Sequence, residues 1–188
     1  MANTDISIVN QALLITGAEQ ITSFDDTSRE AEVASALYET AKNALLSRHP
    51  WTFALGQASL AQIVSTPLFG FTKAYQLPTD PKMIKLIRKN SPKNDDRVFE
   101  DKLYTDDNTV EIVYLFDPGE GDFPDYFSTA LVMELAVLFA ASLIQSETLT
   151  ELYTKLALNK LKVARNIDSQ QQPSIRIDAS EFSISSVR

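Results

Sequence analysis

Cysteine is absent, and histidine occurs once, at position 49. Without thiols the chain has no disulfide, no thiolate metal site and no cysteine nucleophile. A small secreted disulfide scaffold is thereby disfavoured as a class. A serine triad needs its histidine base held by a third group, and a zinc site needs three or four ligands, which one histidine does not supply by itself. His49 precedes Pro50 and Trp51 at a predicted helix end, where a polar or positive tip suits the last helical carbonyls. The glycines number five, Gly17, Gly56, Gly70, Gly119 and Gly121, and none belongs to a phosphate loop or dinucleotide fingerprint. Positive charge is also scarce: 17 basic residues against 25 acidic ones leave a net charge of −8. That balance argues against gripping nucleic acid through a broad basic surface, though an acidic wall lets DNA slide past without sticking. The first residues, Met1-Ala-Asn-Thr-Asp5, carry neither a basic nor an apolar leader region, so no signal peptide is expected.

What is present is a chain of 188 residues, 44% hydrophobic, which fits one domain or one domain with a sizeable insertion. A chain of this size buries roughly 70% of its unfolded surface, enough for a core without covalent staples. The longest apolar run, Tyr126 to Ile144, holds 15 apolar residues in 19 and approaches the length of a membrane span. Glu134 sits in its middle and no basic flank follows, so it reads as a buried central helix, not a span.

Helical spacing of Ile6, Val9, Ala12 and Leu13 predicts a first helix from Asp5 to Thr16, capped by Asn3 or Thr4 and stopped by Gly17. Ile21 and Phe24 are the apolar anchors of the polar loop that follows. Thr27 or Ser28 caps a second helix through Arg48, with Ala34, Leu37, Tyr38, Ala41 and Leu45 on one stripe. Pro50 ends it. From Trp51 to Pro118 the punctuation by Pro67, Pro78, Pro81 and Pro92 is that of strands and turns. Expected strands are Lys73 to Leu77, Met83 to Lys89, Val98 to Tyr104 and Val110 to Phe116, the last with Val110, Ile112, Tyr114 and Phe116 on one face. Asn90 to Arg97 reads as a polar hairpin tip. A third helix begins at Pro124 or Asp125 and breaks at Ser146 to Thr148. A fourth runs from Leu149 to Asp168 and carries Leu152, Leu156, Val163 and Ile167. No internal repeat or sustained heptad is present.

The expected fold class is therefore mainly α with a β-rich insertion (α+β): a four-helix bundle with an antiparallel β segment between its second and third helices. Residues 1–50 and 124–170 would form the bundle, 51–123 the insertion and 171–188 a C-terminal arm. The arm, with Phe182 and Ile184, cannot bury itself alone and would order on a partner or remain a free terminus.

Acidic residues offer the remaining chemistry. The loop Asp117-Pro-Gly-Glu-Gly-Asp122, with Asp125 beyond, lacks the alternating spacing and distal glutamate of a calcium loop. Acids placed at a helix N-terminus account for it. The pairs Asp25-Asp26, Asp95-Asp96 and Asp106-Asp107 all fall in expected loops, and adjacency does not give the separation across a cleft that a glycosidase needs. Glu134, a charge within the most apolar helix, is expected in a salt bridge or on a face that meets another subunit. Lys155, Lys160, Lys162 and Arg165 make the fourth helix locally basic, either as a solvated face or as a contact for acidic neighbours, Glu134 among them. No catalytic site, metal site or cofactor site is expected.

One serial pattern is more specific. Asn10-Gln-Ala-Leu-Leu-Ile-Thr-Gly17 is followed by Ile21-Thr-Ser-Phe-Asp-Asp26 and Ser28-Arg-Glu-Ala31. Leu37-Tyr38 and Leu45-Leu46 then lead to His49-Pro-Trp51-Thr-Phe53-Ala54 and Tyr75-Gln-Leu-Pro78-Thr-Asp80, ahead of the helix containing Leu131 to Ala141. From about residue 8 to 168 this order resembles the tail tubular protein A family, the head-to-tail adaptors of short-tailed phages. Pro50 turns the chain out of the second helix, and Trp51 and Phe53 supply the apolar area to lock that joint. The resemblance implies a structural virion protein, not an enzyme. It would form a dodecameric ring of identical subunits beneath the portal, assembled in the host cytoplasm, that holds the tail nozzle and lets DNA through. Trp51, Phe53, Glu134, Phe182 and Ile184 are the expected interaction residues, and no membrane is involved. A different phage connector (head-completion or tail-terminator protein) and a tail-associated cell-wall hydrolase are the competing readings.

Overall fold

Local signals start and stop each helix of the computed structural model, which describes residues 4–64, 67, 70–90 and 96–171. In α1 (Asp5–Thr16) the Thr4 hydroxyl accepts the Ser7 N–H while Ser7 reaches back to the Thr4 backbone, a reciprocal capping box. Asn3, the other cap candidate, lies outside the described residues. Gly17 ends α1 in the left-handed region (φ 78°) and returns its N–H to the last carbonyls. Ser28 caps α2 (Arg29–Ser47) by accepting the Ala31 N–H. Pro124 precedes α3 (Asp125–Phe139), which widens into a π-helical turn over Ala140–Ile144 and stops at Gln145, again left-handed (φ 56°). Ser146 then caps α4 (Glu147–Gln170), two residues earlier than the sequence pattern suggests.

α3 packs against α1, α2 and α4. Its apolar residues run almost all round, and Phe127, Leu131, Leu135 and Phe139 are fully buried. The 20-residue stretch Asp125–Ile144 is long and apolar enough to cross a membrane, yet more than half of its apolar window is buried by the rest of the chain. The fold is thus mixed α+β, with two small antiparallel sheets between α2 and α3.

The β segment departs from expectation in three ways. β1 (Leu55–Ser59) and β2 (Gln62–Ile63) precede the first expected strand, β3 (Lys73–Gln76). The two apolar side chains of β1, Leu55 and Ala58, are three residues apart and do not alternate, so its sequence carries little strand signal. The stretch Val98 to Tyr104 is not one strand: β5 (Asp96–Phe99) and β6 (Lys102–Thr105) pair antiparallel across a turn with Glu100 at φ 55°. Nor is Asn90 to Arg97 a hairpin tip. β4 (Met83–Asn90) pairs with β7 (Glu111–Phe116), whereas β5 pairs with β6, so the connection passes from one sheet to the other. Residues 91–95 lie outside the described residues. The strand orders are β1-β7-β4 and β2-β3-β6-β5.

β7 alternates as expected: Ile112 and Tyr114 face a second core with Tyr75, Leu77 and Leu103. Val110 joins that core from just before the strand. A Cβ at Gly56 would lie 2.9 Å from the Tyr114 ring, so a larger residue there requires that ring to shift. Lys89 fastens the two sheets, its ammonium 3.1 Å from Asp96 and 3.0 Å from Asp107. Burial alone would lower its pKa, but those hydrogen bonds outweigh burial and raise it.

Candidate functional site

The chain leaves α2 through His49-Pro50-Trp51-Thr52, and this joint is where the helices and the β segment are fastened together. Trp51 is 0% exposed. Its ring stacks near Tyr126 and meets Phe127 edge-on, with ring centroids at 6.3 and 5.1 Å. Its Nε1–H donates to the Leu45 carbonyl at 3.1 Å. Phe53, half-buried, packs edge-on against Phe127 and Phe123. Trp51 is therefore not an exposed contact residue, as an interaction role would need. Large aromatic area drives it into the core, and any effect on a partner passes through the joint it holds.

The polar half of the joint comes from α4. Asp168, 1% exposed, accepts from the Thr52 N–H at 3.0 Å and the Thr52 hydroxyl at 2.7 Å. The Tyr126 hydroxyl donates to it at 2.8 Å. His49 Nε2 lies 3.2 Å from its other oxygen, so the histidine meets a carboxylate 119 residues away and not the end of its own helix. In the sequence Asp168 marks only the end of the fourth helix. Its one available signal was phase, since it shares a helix face with Ala157, Leu161 and Ala164, the buried residues of α4.

Burial and the hydrogen bond to Asp168 push the Tyr126 phenol up to about 12. A phenol raised in the folded state stabilises fully below its ordinary value of 10, and that contribution is lost as pH rises through the folded value. Stability should thus fall between about pH 10 and 12, and the fall should be smaller in Tyr126→Phe. Denaturant midpoints measured across that interval, beside tyrosinate absorbance, test this.

Glu134 is half-buried and paired. Arg48 at the C-terminal end of α2 forks onto its carboxylate, at 2.7 and 3.1 Å, a bidentate geometry stronger than a single contact. The α4 cations do not reach it. Arg165 instead donates to the Arg48 carbonyl at 3.0 Å.

The acidic loop before α3 places acids at helix starts as expected, Asp125 in the first turn of α3 and Glu120 with Asp122 in a short 3-10 turn before it. Asp117 and Glu120 also converge on Lys42 of α2 at 2.9 and 3.0 Å. Glu39 adds a third carboxylate at 2.9 Å, and the Tyr38 hydroxyl donates to Glu120. Burial would lower the Lys42 ammonium, but its bonds to Asp117, Glu39 and Glu120 hold it above the usual range. Lys42→Ala should cost about 2–3 kcal/mol in urea unfolding, below the upper range for buried pairs because both loop carboxylates reach water. The other acid pairs are held likewise: Asp26 accepts backbone bonds from Thr22 and Ser23, and Asp106 accepts from Thr72. Asp95 lies outside the described residues. Among the described residues, no three histidine, aspartate or glutamate side chains gather as a metal-binding group.

Leu152, Leu156, Val163 and Ile167, the large apolar residues that the fourth helix carries, are exposed; Leu156 is 41% and Val163 46% accessible. Close packing on the bulky α3 selects the narrower face with Ala157 and Ala164. Tyr153 donates to the Ile15 carbonyl at 2.8 Å, which brings the exposed Leu14 and Ile15 of α1 beside the N-terminal half of α4. Phe182 and Ile184 lie outside the described residues. Set against family models and curated proteins, the chain matches none.

Proposed function

We propose that this chain is a non-enzymatic subunit of a ring-forming head-to-tail adaptor in a short-tailed phage. It joins a portal protein to a tail nozzle and lets DNA pass through its channel without sequence-specific binding. The observation that carries the reading is the uncovered apolar stripe of α4. A row of exposed large apolar side chains on the longest described helix suits a protein contact that one copy leaves unfilled. The serial pattern around Trp51 and Tyr75 supports the same identity, as its residues build the joint below α2 and the second core. In this reading the four helices act as a bundle around α3 and form the ring, while residues 171–188 serve as an arm toward the portal. The net charge of −8 suits a channel past which DNA slides. The protein would reside at the head–tail junction of the virion after assembly in the host cytoplasm.

Mixing the purified chain with portal rings should give multi-copy complexes by native mass spectrometry. Portal rings that carry no copies count against the proposal. A ring that assembles without seating on the portal points to another connector. Clearing of cell-wall polymer in a zymogram would favour the hydrolase reading.

A further inference from the structure

The two flanks of the helical part differ in chemistry. Residues 152–167 hold Lys155, Lys160, Lys162 and Arg165 and no acid. Arg165 is engaged with Arg48, whereas the three lysines make no ion pair among the described residues. The Arg165 contact ties the C-terminal end of α2 to α4, and Val163, two residues away, lies about 200° round the helix. The apolar stripe therefore faces away from that end of α2. On α2 the side chains Glu32, Ser35, Ala36, Glu39 and Asn43 are exposed. Glu39 is 64% exposed although it touches Lys42, and that one ammonium already serves two other carboxylates. This flank consequently retains an excess of negative charge. Glu32 and Glu39 are seven residues apart, as are Lys155 and Lys162, so both pairs span about 10.5 Å along their helices.

We infer that the Leu156–Val163 stripe of one copy seats on the Glu32–Glu39 flank of the next, a heterologous contact between identical chains. This rests on the ring reading and names its lateral interface. Ser35 and Ala36 are small enough for α4 to approach closely, and the matched spacing lets Lys155 and Lys162 meet the two glutamates. Pairing the stripe with itself would oppose like charges. A head-to-tail contact can also close a ring, which a two-fold contact cannot do alone.

Because the chain has no cysteine, L156C and A36C each introduce a single thiol. The two full-length variants are mixed, treated with a thiol-bridging bismaleimide at concentrations up to the solubility limit, and read by denaturing gel and peptide mass spectrometry. The expected product is the L156C–A36C cross-link, exceeding either variant linked to itself. Adding K155E and K162E to the L156C chain should lower its yield about tenfold, and E32K with E39K in the A36C chain should restore it. Absence of the mixed cross-link, or dominance of L156C linked to L156C, overturns the inference. Portal-bound multi-copy complexes without the mixed cross-link would keep the adaptor reading and discard this interface. The mixed cross-link without portal binding would do the reverse.

Discussion

Asp168→Ala should destabilise the protein by about 3–5 kcal/mol, the range for removing one partner from a buried charged network. The carboxylate accepts the Thr52 N–H, the Thr52 hydroxyl and the Tyr126 hydroxyl, and sits 3.2 Å from His49 Nε2. Alanine leaves those donors facing a void that water reaches poorly, and each buried donor left unmet costs about 1–3 kcal/mol. It also unlatches the last turn of α4 from the joint, since Asp168 is that turn's buried polar contact with Thr52 and Tyr126. Asp168→Asn keeps the shape and one acceptor oxygen, so its loss should be about half as large. Urea unfolding is the measurement, with midpoints shifted and the slope unchanged. A loss below about 1 kcal/mol for alanine would mean the network is satisfied by water and does not latch the joint.

Trp51→Ala should cost about 3–5 kcal/mol, the usual range for deleting a large buried aromatic. The indole is fully buried and shares contacts with His49, Phe53, Tyr126 and Phe127. The loss is chiefly one of packing. The Leu45 carbonyl that accepts the indole N–H also accepts the Arg48 N–H at 3.3 Å, so it is not left orphaned. Trp51→Phe should accordingly recover most of the stability, to within about 1–2 kcal/mol. Calorimetry of the two variants separates these contributions, and a phenylalanine variant as weak as the alanine one would show that the hydrogen bond governs. Since Trp51 has no exposed surface, the adaptor reading proposed above expects the phenylalanine variant to enter portal complexes in the same amount as the unaltered chain. Reduced entry by a stable phenylalanine variant would place Trp51's role beyond the joint.

The joint itself was half legible. Pro50 announces the end of α2, and Trp51 with Phe53 announces a large apolar anchor. Their polar counterpart, Asp168, is more than a hundred residues downstream, and no local pattern links the two. The same applies to Glu134. A carboxylate within an apolar helix demands a partner, but which cation supplies it depends on how α2 lies across α3. Arg48 meets it, and the nearer basic run on α4 does not. On α4 the pattern does not settle the phase. The helix is apolar over an arc broad enough to include both the Ala157–Ala164 face and the Leu152–Ile167 face, and hydropathy favours the larger side chains.

Composition and punctuation alone determined the absence of cysteine chemistry and of a multi-histidine metal site, the limits of the four helices within about two residues, and the β character of the segment between α2 and α3. Those follow from caps, helix-stopping glycine and proline, and period, all properties of adjacent residues. Tertiary structure decided the division of the strands into two sheets, the pairing of β4 with β7, the latch at Asp168, the Arg48–Glu134 fork and the face α4 presents to α3. Each depends on which distant surfaces meet and on how closely their side chains allow two backbones to approach. Small residues won the contact on α4 because close packing rewards approach as well as apolar area, and the larger side chains were left facing outward.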